Sequence, residues 1–361
     1  MRVIRVVLTV VATLLAGLVT ALPAAAATPS VDPITITGVD LHDGMMLRSG
    51  STYYLYGTQY GCGFEWTVKT TPFCGFGVST AASPGGPWSP PRQLFSPTAS
   101  SPFAKSTWQG LCGDPGQGCF NPRMIQRSGW GLDDGAWILW FNAPTDYSRS
   151  RANAYYALTC QGPAGPCGQE SGGATIKPAL YRCGGNGDFS LVIDLPRPPM
   201  MLCTMPDQTL SSERLTATGT SGNGEGAAKL AGMTNTEAPG AYRDPSGIWV
   251  LTFNEQNCGY CNGTGTSYAT ANSVNGPWSS PTTIGFGAPA SGHRVISGTS
   301  CGGQSRTVVT LDDQPYEFID LWLGTRNEAG AGIHLEPLTY RGPSAPGRPW
   351  APFVTWTCQE S

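Results

Sequence analysis

Charge is scarce in this chain: only 12% of its residues are Asp, Glu, Lys or Arg, and 24 acids against 21 bases leave a formal net charge of −3. That excludes the basic surface a nucleic-acid partner needs to neutralise phosphates. Long amphipathic helices are also missing, because 48 glycines and 31 prolines interrupt any helical period, and a helical bundle is thereby excluded. Beyond the first 27 residues no apolar run is long enough to cross a bilayer.

What the chain does have begins at its N-terminus. Arg2 and Arg5 precede a largely apolar run from Val6 to Leu22, followed by Pro23-Ala24-Ala25-Ala26-Ala27. This is the layout of a Sec-type signal peptide, which predicts cleavage after residue 27 and a secreted, extracellular mature domain of residues 28–361. An uncleaved anchor is the competing reading. The run is at the short limit for a span, and the alanines supply the small residues that a signal peptidase needs. All twelve cysteines lie in the exported part, and an oxidising compartment lets them pair. Proximity predicts Cys62 with Cys74, Cys112 with Cys119, Cys160 with Cys167, Cys183 with Cys203 and Cys258 with Cys261, leaving Cys301 for Cys358. Cys258-Gly259-Tyr260-Cys261 has no second ligand pair at a zinc-site spacing. The mature protein is expected to be monomeric and to contact no membrane.

Aromatic, β-patterned segments recur: Ser51 to Gly57, Gly135 to Phe141, Gly247 to Phe253 and Tyr316 to Trp322. Most begin beside turn residues. A second unit follows two of them: Ser83-Pro84-Gly85-Gly86-Pro87-Trp88 and Ser273-Val274-Asn275-Gly276-Pro277-Trp278 share S-x-x-G-P-W. Repeated antiparallel units of this kind predict an all-β fold, a single-domain, disulfide-rich five-bladed β-propeller at roughly 40–50 residues per blade plus insertions. The stretch from Asp188 to Cys203 supplies the least obvious strands. Gly219 to Gly226 reads as an exposed loop and Pro343 to Pro352 as a C-terminal strap.

Three carboxyls each stand just ahead of an apolar strand: Asp43 in Leu41-His42-Asp43-Gly44, Asp188 in Gly187-Asp188-Phe189, and Glu237 in Thr236-Glu237-Ala238-Pro239. The innermost strand of a propeller blade delivers its first residues to the mouth of the central channel, so the three are predicted to converge there. Such a set suits glycoside hydrolysis, in which one carboxyl protonates the leaving oxygen and another activates water. A single Asp beside a turn is more commonly a cap, so the inference rests on the set.

These residues carry a resemblance. His42-Asp43-Gly44 ahead of Tyr53-Tyr54-Leu55-Tyr56-Gly57-Thr58, Glu237-Ala238-Pro239 ahead of Gly247-Ile248-Trp249-Val250-Leu251, and the S-x-x-G-P-W units follow the order found in glycoside hydrolase family 43, whose five-bladed propellers cut arabinans, xylans and galactans. The resemblance implies a polysaccharide or oligosaccharide substrate, arabinofuranose-containing first and galactan or xylan as alternatives. It implies Asp43 as general base, Glu237 as general acid and Asp188 as the carboxylate that orients the acid, with inversion of the anomeric centre. Gly44 stands where the family has Pro, which leaves the backbone there freer. Asp40 is the rival base, and Asp194 the rival to Asp188. A propeller that binds glycans without cutting them keeps the aromatics but needs no converging acids.

His42 adjoins the proposed base and is a candidate for a sugar hydroxyl. Arg123 and Arg326 are candidate substrate contacts because a guanidinium donates several hydrogen bonds to ring hydroxyls. Trp66, Trp108 and Trp130 lie outside the repeated strands and are the candidates for stacking on sugar rings. His293, in Ser291-Gly292-His293-Arg294, is similar to the element with which arabinan-cleaving relatives hold a central ion, which implies a structural calcium or sodium ion and no cofactor in the chemistry. Gly302-Gly303-Gln304-Ser305-Arg306 resembles instead a polar element of the galactan-cleaving branch. The segments Cys62 to Cys74, Cys112 to Cys119 and Cys160 to Cys167 are the predicted walls of the channel mouth.

Overall fold

The computed structural model describes residues 31–103, 107–113, 118–144, 154–184, 187–255, 263–279, 295–342, 353, 354, 356 and 358. The signal peptide, the Cys258 and Cys261 pair, His293 and the Pro343 to Pro352 strap lie outside them. Twenty strands form five four-stranded antiparallel sheets. Strand β1 (Ile34–Ile36) comes first in the chain but pairs at the end of the last sheet. Blade one is β2 (His42–Ser49), β3 (Thr52–Thr58), β4 (Phe76–Ala81) and β5 (Arg92–Gln93). Blade two is β6 (Phe120–Gln126), β7 (Trp137–Asn142), β8 (Tyr155–Cys160) and β9 (Thr175–Ile176), preceded by the short helix α1 (Trp108–Gly113).

Blade three is β10 (Phe189–Asp194), β11 (Arg197–Thr204), β12 (Thr209–Arg214) and β13 (Ala228–Thr234). Blade four is β14 (Glu237–Arg243), β15 (Trp249–Asn254), β16 (Thr266–Ala271) and β17 (Val295–Ser297). Blade five is β18 (Gln304–Leu311), β19 (Gln314–Leu321) and β20 (Gly332–Pro337), completed by β1 through Ile34 opposite Leu335 and Ile36 opposite Ile333. The inner strands β2, β6, β10, β14 and β18 contact one another in that order and close a ring.

The predicted aromatic segments are the second strands β3, β7, β15 and β19. They are buried on both faces because each sheet is sandwiched between its neighbours. Each of the five seams between blades holds its own core. Between blades one and two, for example, Tyr56, Phe76 and Val78 meet Leu139, Phe141 and Tyr156. Between blades five and one, Phe318 and Leu335 meet Leu41 and Leu55. Trp88 and Trp278 of the repeated S-x-x-G-P-W units plug the five–one and three–four seams. Ser89 and Ser279, which follow them, each accept at Oγ from the third strand, from Thr80 N and Thr270 N at 2.9 Å.

Five of the predicted disulfides are present: Cys62–Cys74, Cys112–Cys119, Cys160–Cys167, Cys183–Cys203 and Cys301–Cys358. Two positional expectations change. The Gly219 to Gly226 loop is folded against the sheets: Gly219 is buried and its carbonyl accepts from Trp140 Nε1 at 2.8 Å. Cys160 ends β8 opposite Trp137, whereas the mouth end of that strand is Tyr155 opposite Asn142, so Cys160–Cys167 braces the far face and does not wall the mouth. Among the described residues no helix is long and apolar enough to cross a membrane.

Candidate active site

In three blades the chain enters the inner strand through the same irregularity. The register shifts between His42 and Met45, between Phe120 and Arg123, and between Glu237 and Gly240. The second residue of each strand takes a left-handed conformation: Asp43 at φ 52°, Asn121 at 57° and Ala238 at 50°. A bulge of this kind re-aims side chains at a strand's end, and here it directs them to one end of the channel. Gly44 shows how tightly the first bulge is packed. A β-carbon there would lie 1.8 Å from the Tyr56 carbonyl oxygen. The expected extra backbone freedom is therefore absent, since the glycine is required by close approach of two strands.

The three predicted carboxyls meet at this end. Asp43 is 1% exposed. Its Oδ1 accepts from Thr58 Oγ1 at 2.9 Å and from the Asn121 amide at 3.0 Å, while Oδ2 has no hydrogen-bond partner among the described residues. Asp188 Oδ1 accepts from Asn121 Nδ2 at 2.9 Å and from Arg306 Nη2 at 2.7 Å. Glu237, 8% exposed, accepts at Oε1 from Gln304 Nε2 at 2.8 Å, and Gln304 Oε1 in turn accepts from Trp322 Nε1 at 2.8 Å. A fourth carboxyl, Asp320 at the end of β19, accepts the Asp43 amide at 2.7 Å.

One guanidinium ties the set together. Arg306 is within electrostatic reach of Asp188, Asp43, Asp320 and Glu237, and these carboxylates hold its pKa above the ordinary arginine value against the effect of burial. Burial prevails at two of the acids, Asp43 and Asp320. It pushes Asp43 up to about 7, with Arg306 and the hydrogen bonds from Asn121 and Thr58 pulling the other way. Asp320 is raised well above its usual range, again by burial first.

The remaining candidates divide. Arg123 does not face a ligand: it is 2% exposed and donates to the carbonyls of Asp43 at 2.8 Å, Gly44 at 2.7 Å and Phe189 at 3.1 Å. It is a brace that binds the bulge of blade one to blade three, and burial lowers its pKa to about 10. His42 is fully buried, with Nε2 3.3 Å from Asp40 Oδ1 and the ring edge-on to Tyr60. Asp40 holds the loop after β3 by accepting the Tyr60 and Gly61 amides at 2.9 and 2.7 Å, which leaves it a cap. Asp194 sits at the opposite end of β10, paired with Arg214 at 2.9 Å.

Trp108 is 4% exposed in the seam between blades one and two, against Phe95 and Phe141, and cannot present a face to a sugar. Trp130 is buried in the seam between blades two and three and borders an open cavity of about 520 Å³, of mixed polar and apolar lining, at the far ends of the inner strands. Trp66 and Arg326 do come together: the Trp66 amide donates to the Arg326 carbonyl at 2.9 Å, with Trp66 half-buried and Arg326 exposed. Their two loops follow β3 and β19, the strands whose ends carry Thr58 and Asp320. Asn121, Arg306, Gln304, Asp320 and Trp322 were not singled out as site residues from sequence. The only sequence signal for them was the Gln304-Ser305-Arg306 element.

No protein-family model and no curated relative matches the sequence. In fold, the chain is similar to an exo-β-1,3-galactanase from Phanerochaete chrysosporium solved with β-1,3-galactotriose, at TM-score 0.60 and 17% identity over 85% of this chain and 65% of that one. It is similar to a glycoside hydrolase family 43 β-1,3-galactosidase solved with galactodeoxynojirimycin, at TM-score 0.61 and 15% identity over 86% and 97%. It is also similar to an exo-1,5-α-L-arabinanase from a bovine ruminal metagenomic library, at TM-score 0.54 and 15% identity over 85% and 96%. The chain thus spans 65% of the length of the fungal galactanase. At these identities the likeness establishes the fold alone, a five-bladed β-propeller of the kind these hydrolases have.

Proposed function

We propose that the chain is an exported glycoside hydrolase that cleaves cell-wall polysaccharide with inversion at the anomeric carbon. The observation that carries this reading is the convergence of Asp43, Asp188 and Glu237, from three different blades, around the guanidinium of Arg306. Glu237 protonates the departing glycosidic oxygen, and Asp43 takes a proton from the attacking water. Asp188, held by Asn121 and Arg306, orients the group between them. A propeller that only bound glycans would have no need to bury and couple four carboxyls at the channel mouth, because isolated charges in such a place are costly.

A β-linked galactan is the first substrate to test, and an arabinofuranose polymer the second. Two observations support that order. The Gln304-Ser305-Arg306 element, matched in sequence to the galactan-cleaving branch, contacts Glu237 and Asp188, and two of the three similar structures described above act on β-1,3-galactan or its fragments by name. Galactan, arabinan, xylan and arabinogalactan should be offered to the purified mature chain and the products separated by size and anomer. Glu237→Gln is expected to lower turnover about 10²–10⁴-fold while substrate binding persists. Unchanged turnover in that variant removes Glu237 from the acid role, and retained activity in Asp43→Asn beside a dead Asp188→Asn transfers the base role to Asp188.

A further inference from the structure

Away from the carboxylate-lined mouth, a second cluster of donor atoms lies where the C-terminal segment crosses the closing blade. His334 and Glu336 stand two residues apart on β20, so their side chains leave the strand on one face. His334 Nε2 is 2.7 Å from Glu336 Oε2. Cys301, in the turn before β18, and Cys358, near the end of the chain, bring their sulfurs to 3.9 and 3.7 Å from that same Oε2. One ligand atom from each of the four residues lies within 4.8 Å of all the others. His334 and Glu336 are buried and the two cysteines half-buried.

We propose that these side chains give the Cys301–Cys358 pair a second state, a tetrahedral zinc site of two thiolates, one imidazole and one carboxylate. Zinc bonds of about 2.0–2.3 Å place the four donors of a tetrahedron about 3.3–3.8 Å apart. Both sulfur-to-oxygen separations are already close to that range. Loading requires the His334 to Glu336 contact to widen by about 0.6 Å and the sulfurs to part from a bonding distance of about 2.05 Å to about 3.8 Å.

The imidazole is already oriented for this role. Thr35 Oγ1, on β1, lies 2.9 Å from His334 Nδ1. With one proton on Nδ1 donated to that hydroxyl, zinc binding displaces only the Nε2 proton that the 2.7 Å contact with the Glu336 carboxylate holds, releasing it to solvent and leaving the Nε2 lone pair toward the cluster. Thiolate donors select zinc over the oxygen-seeking calcium and magnesium. The exchange balances. A dithiol reductant gives two electrons and two protons to the Cys301–Cys358 bond and leaves as its own disulfide, and each cysteine then releases its proton as its bond to zinc forms. Disulfide and zinc site exclude each other, so the closing blade is stapled covalently in oxidising surroundings and by an ion where reductant and zinc are both present. The disulfide joins the turn before β18 to the C-terminal segment, and the zinc state adds β20 to that clamp, with β1 from the N-terminal side holding the histidine.

The mature chain, reduced with a dithiol, freed of reductant and exposed to zinc, should be measured for bound metal by atomic emission after gel filtration. Because the other cysteines are reduced as well, the comparison is with the Cys301→Ser, Cys358→Ser double variant. The parent should carry one zinc more than the double variant, and its cobalt form should show tetrahedral d–d bands with a thiolate charge-transfer band that His334→Ala and Glu336→Gln both alter. Thr35→Val, which removes only the orienting hydroxyl, should weaken zinc affinity about 10–100-fold. Circular dichroism of the oxidised variants checks that each is folded, and Glu336→Gln, which preserves volume, stands in if His334→Ala is not. Equal zinc content in parent and double variant overturns the proposal. So does a cobalt spectrum that is octahedral, or one indifferent to both His334 and Glu336.

Discussion

At the residue scale, Asp43 carries the clearest chemical consequence. Its burial pushes its pKa up to about 7; in the proposed role of base it must be ionised to take a proton, so kcat/KM is expected to rise with pH through about 7 before it levels. A pH–rate profile on galactan fragments checks this, and the acidic limb should vanish together with the activity in Asp43→Asn. Gly44 is the other telling residue. Its absent side chain is what lets β2 approach β3, because any β-carbon would strike the Tyr56 carbonyl. Gly44→Ala should cost about 1–3 kcal/mol in urea denaturation. It should also impair turnover beyond what the lost stability explains, since Asp43 is the adjacent residue.

At the scale of elements, the seam between β15, β18 and β19 holds Glu317, fully buried among the hydroxyls of Thr252 and Ser305. Burial raises its pKa from 4.5 to about 8, with those hydroxyls acting in the opposite sense. The folded chain therefore keeps a proton that the unfolded chain releases above about pH 4.5. This contribution to stability is complete below that pH and is lost as the pH climbs to about 8. Glu317→Gln cannot ionise, so its stability should fall less than the parent's between pH 5 and pH 8, by up to about 1.4 kcal/mol per pH unit. Paired denaturation curves at the two pH values decide it. A parallel fall in both proteins would show that Glu317 stays ionised in the fold.

Elements also show what the sequence made legible. The second strands of blades one, two, four and five announce themselves through Tyr, Trp and Phe, because a strand buried on both faces needs large apolar side chains. Blade three was harder to read because its second strand, β11, does the same work with Met200, Met201 and Leu202. Methionine fills seams as well as an aromatic does but carries no β signature. Trp108 misled for the opposite reason. Its Gly-rich and Cys-flanked surroundings suggested a loop, yet the side chain turns inward onto Phe95 and Phe141, and local composition does not report the direction in which a tryptophan points.

At the scale of the whole molecule, the last blade is completed by three residues from the N-terminal side. β1 adds the outermost strand to blade five, with Ile36 3% exposed in the seam to blade one. Ile36→Ala is expected to cost about 2–5 kcal/mol, read as a lowered melting temperature. An effect near zero would mean that the blade holds without this contact. The axis inside the ring gathers the carboxyls and Arg306 at one end, whereas the other has a mixed lining in which Met45, Met124, Leu191 and Tyr242 stand beside Arg48 and Asp313. That difference follows from strand direction alone, since all five inner strands begin at the same end.

The sequence by itself determined the all-β class, the five blades, the cysteine pairs that fall within the described residues, and the three carboxyls that open inner strands, because each of these is written in local pattern: alternation, turn residues, spacing and position relative to a strand. Tertiary structure alone decided which groups surround those carboxyls. Asn121, Gln304, Arg306 and Asp320 come from three other strand ends, and Arg123, which looked free to meet a sugar, is consumed by backbone carbonyls of two blades. Closing a ring brings together residues 43, 121, 188, 237, 306 and 320, which no periodicity relates. Burial at that meeting point raises the pKa of Asp43 and Asp320 above the ordinary carboxylate range.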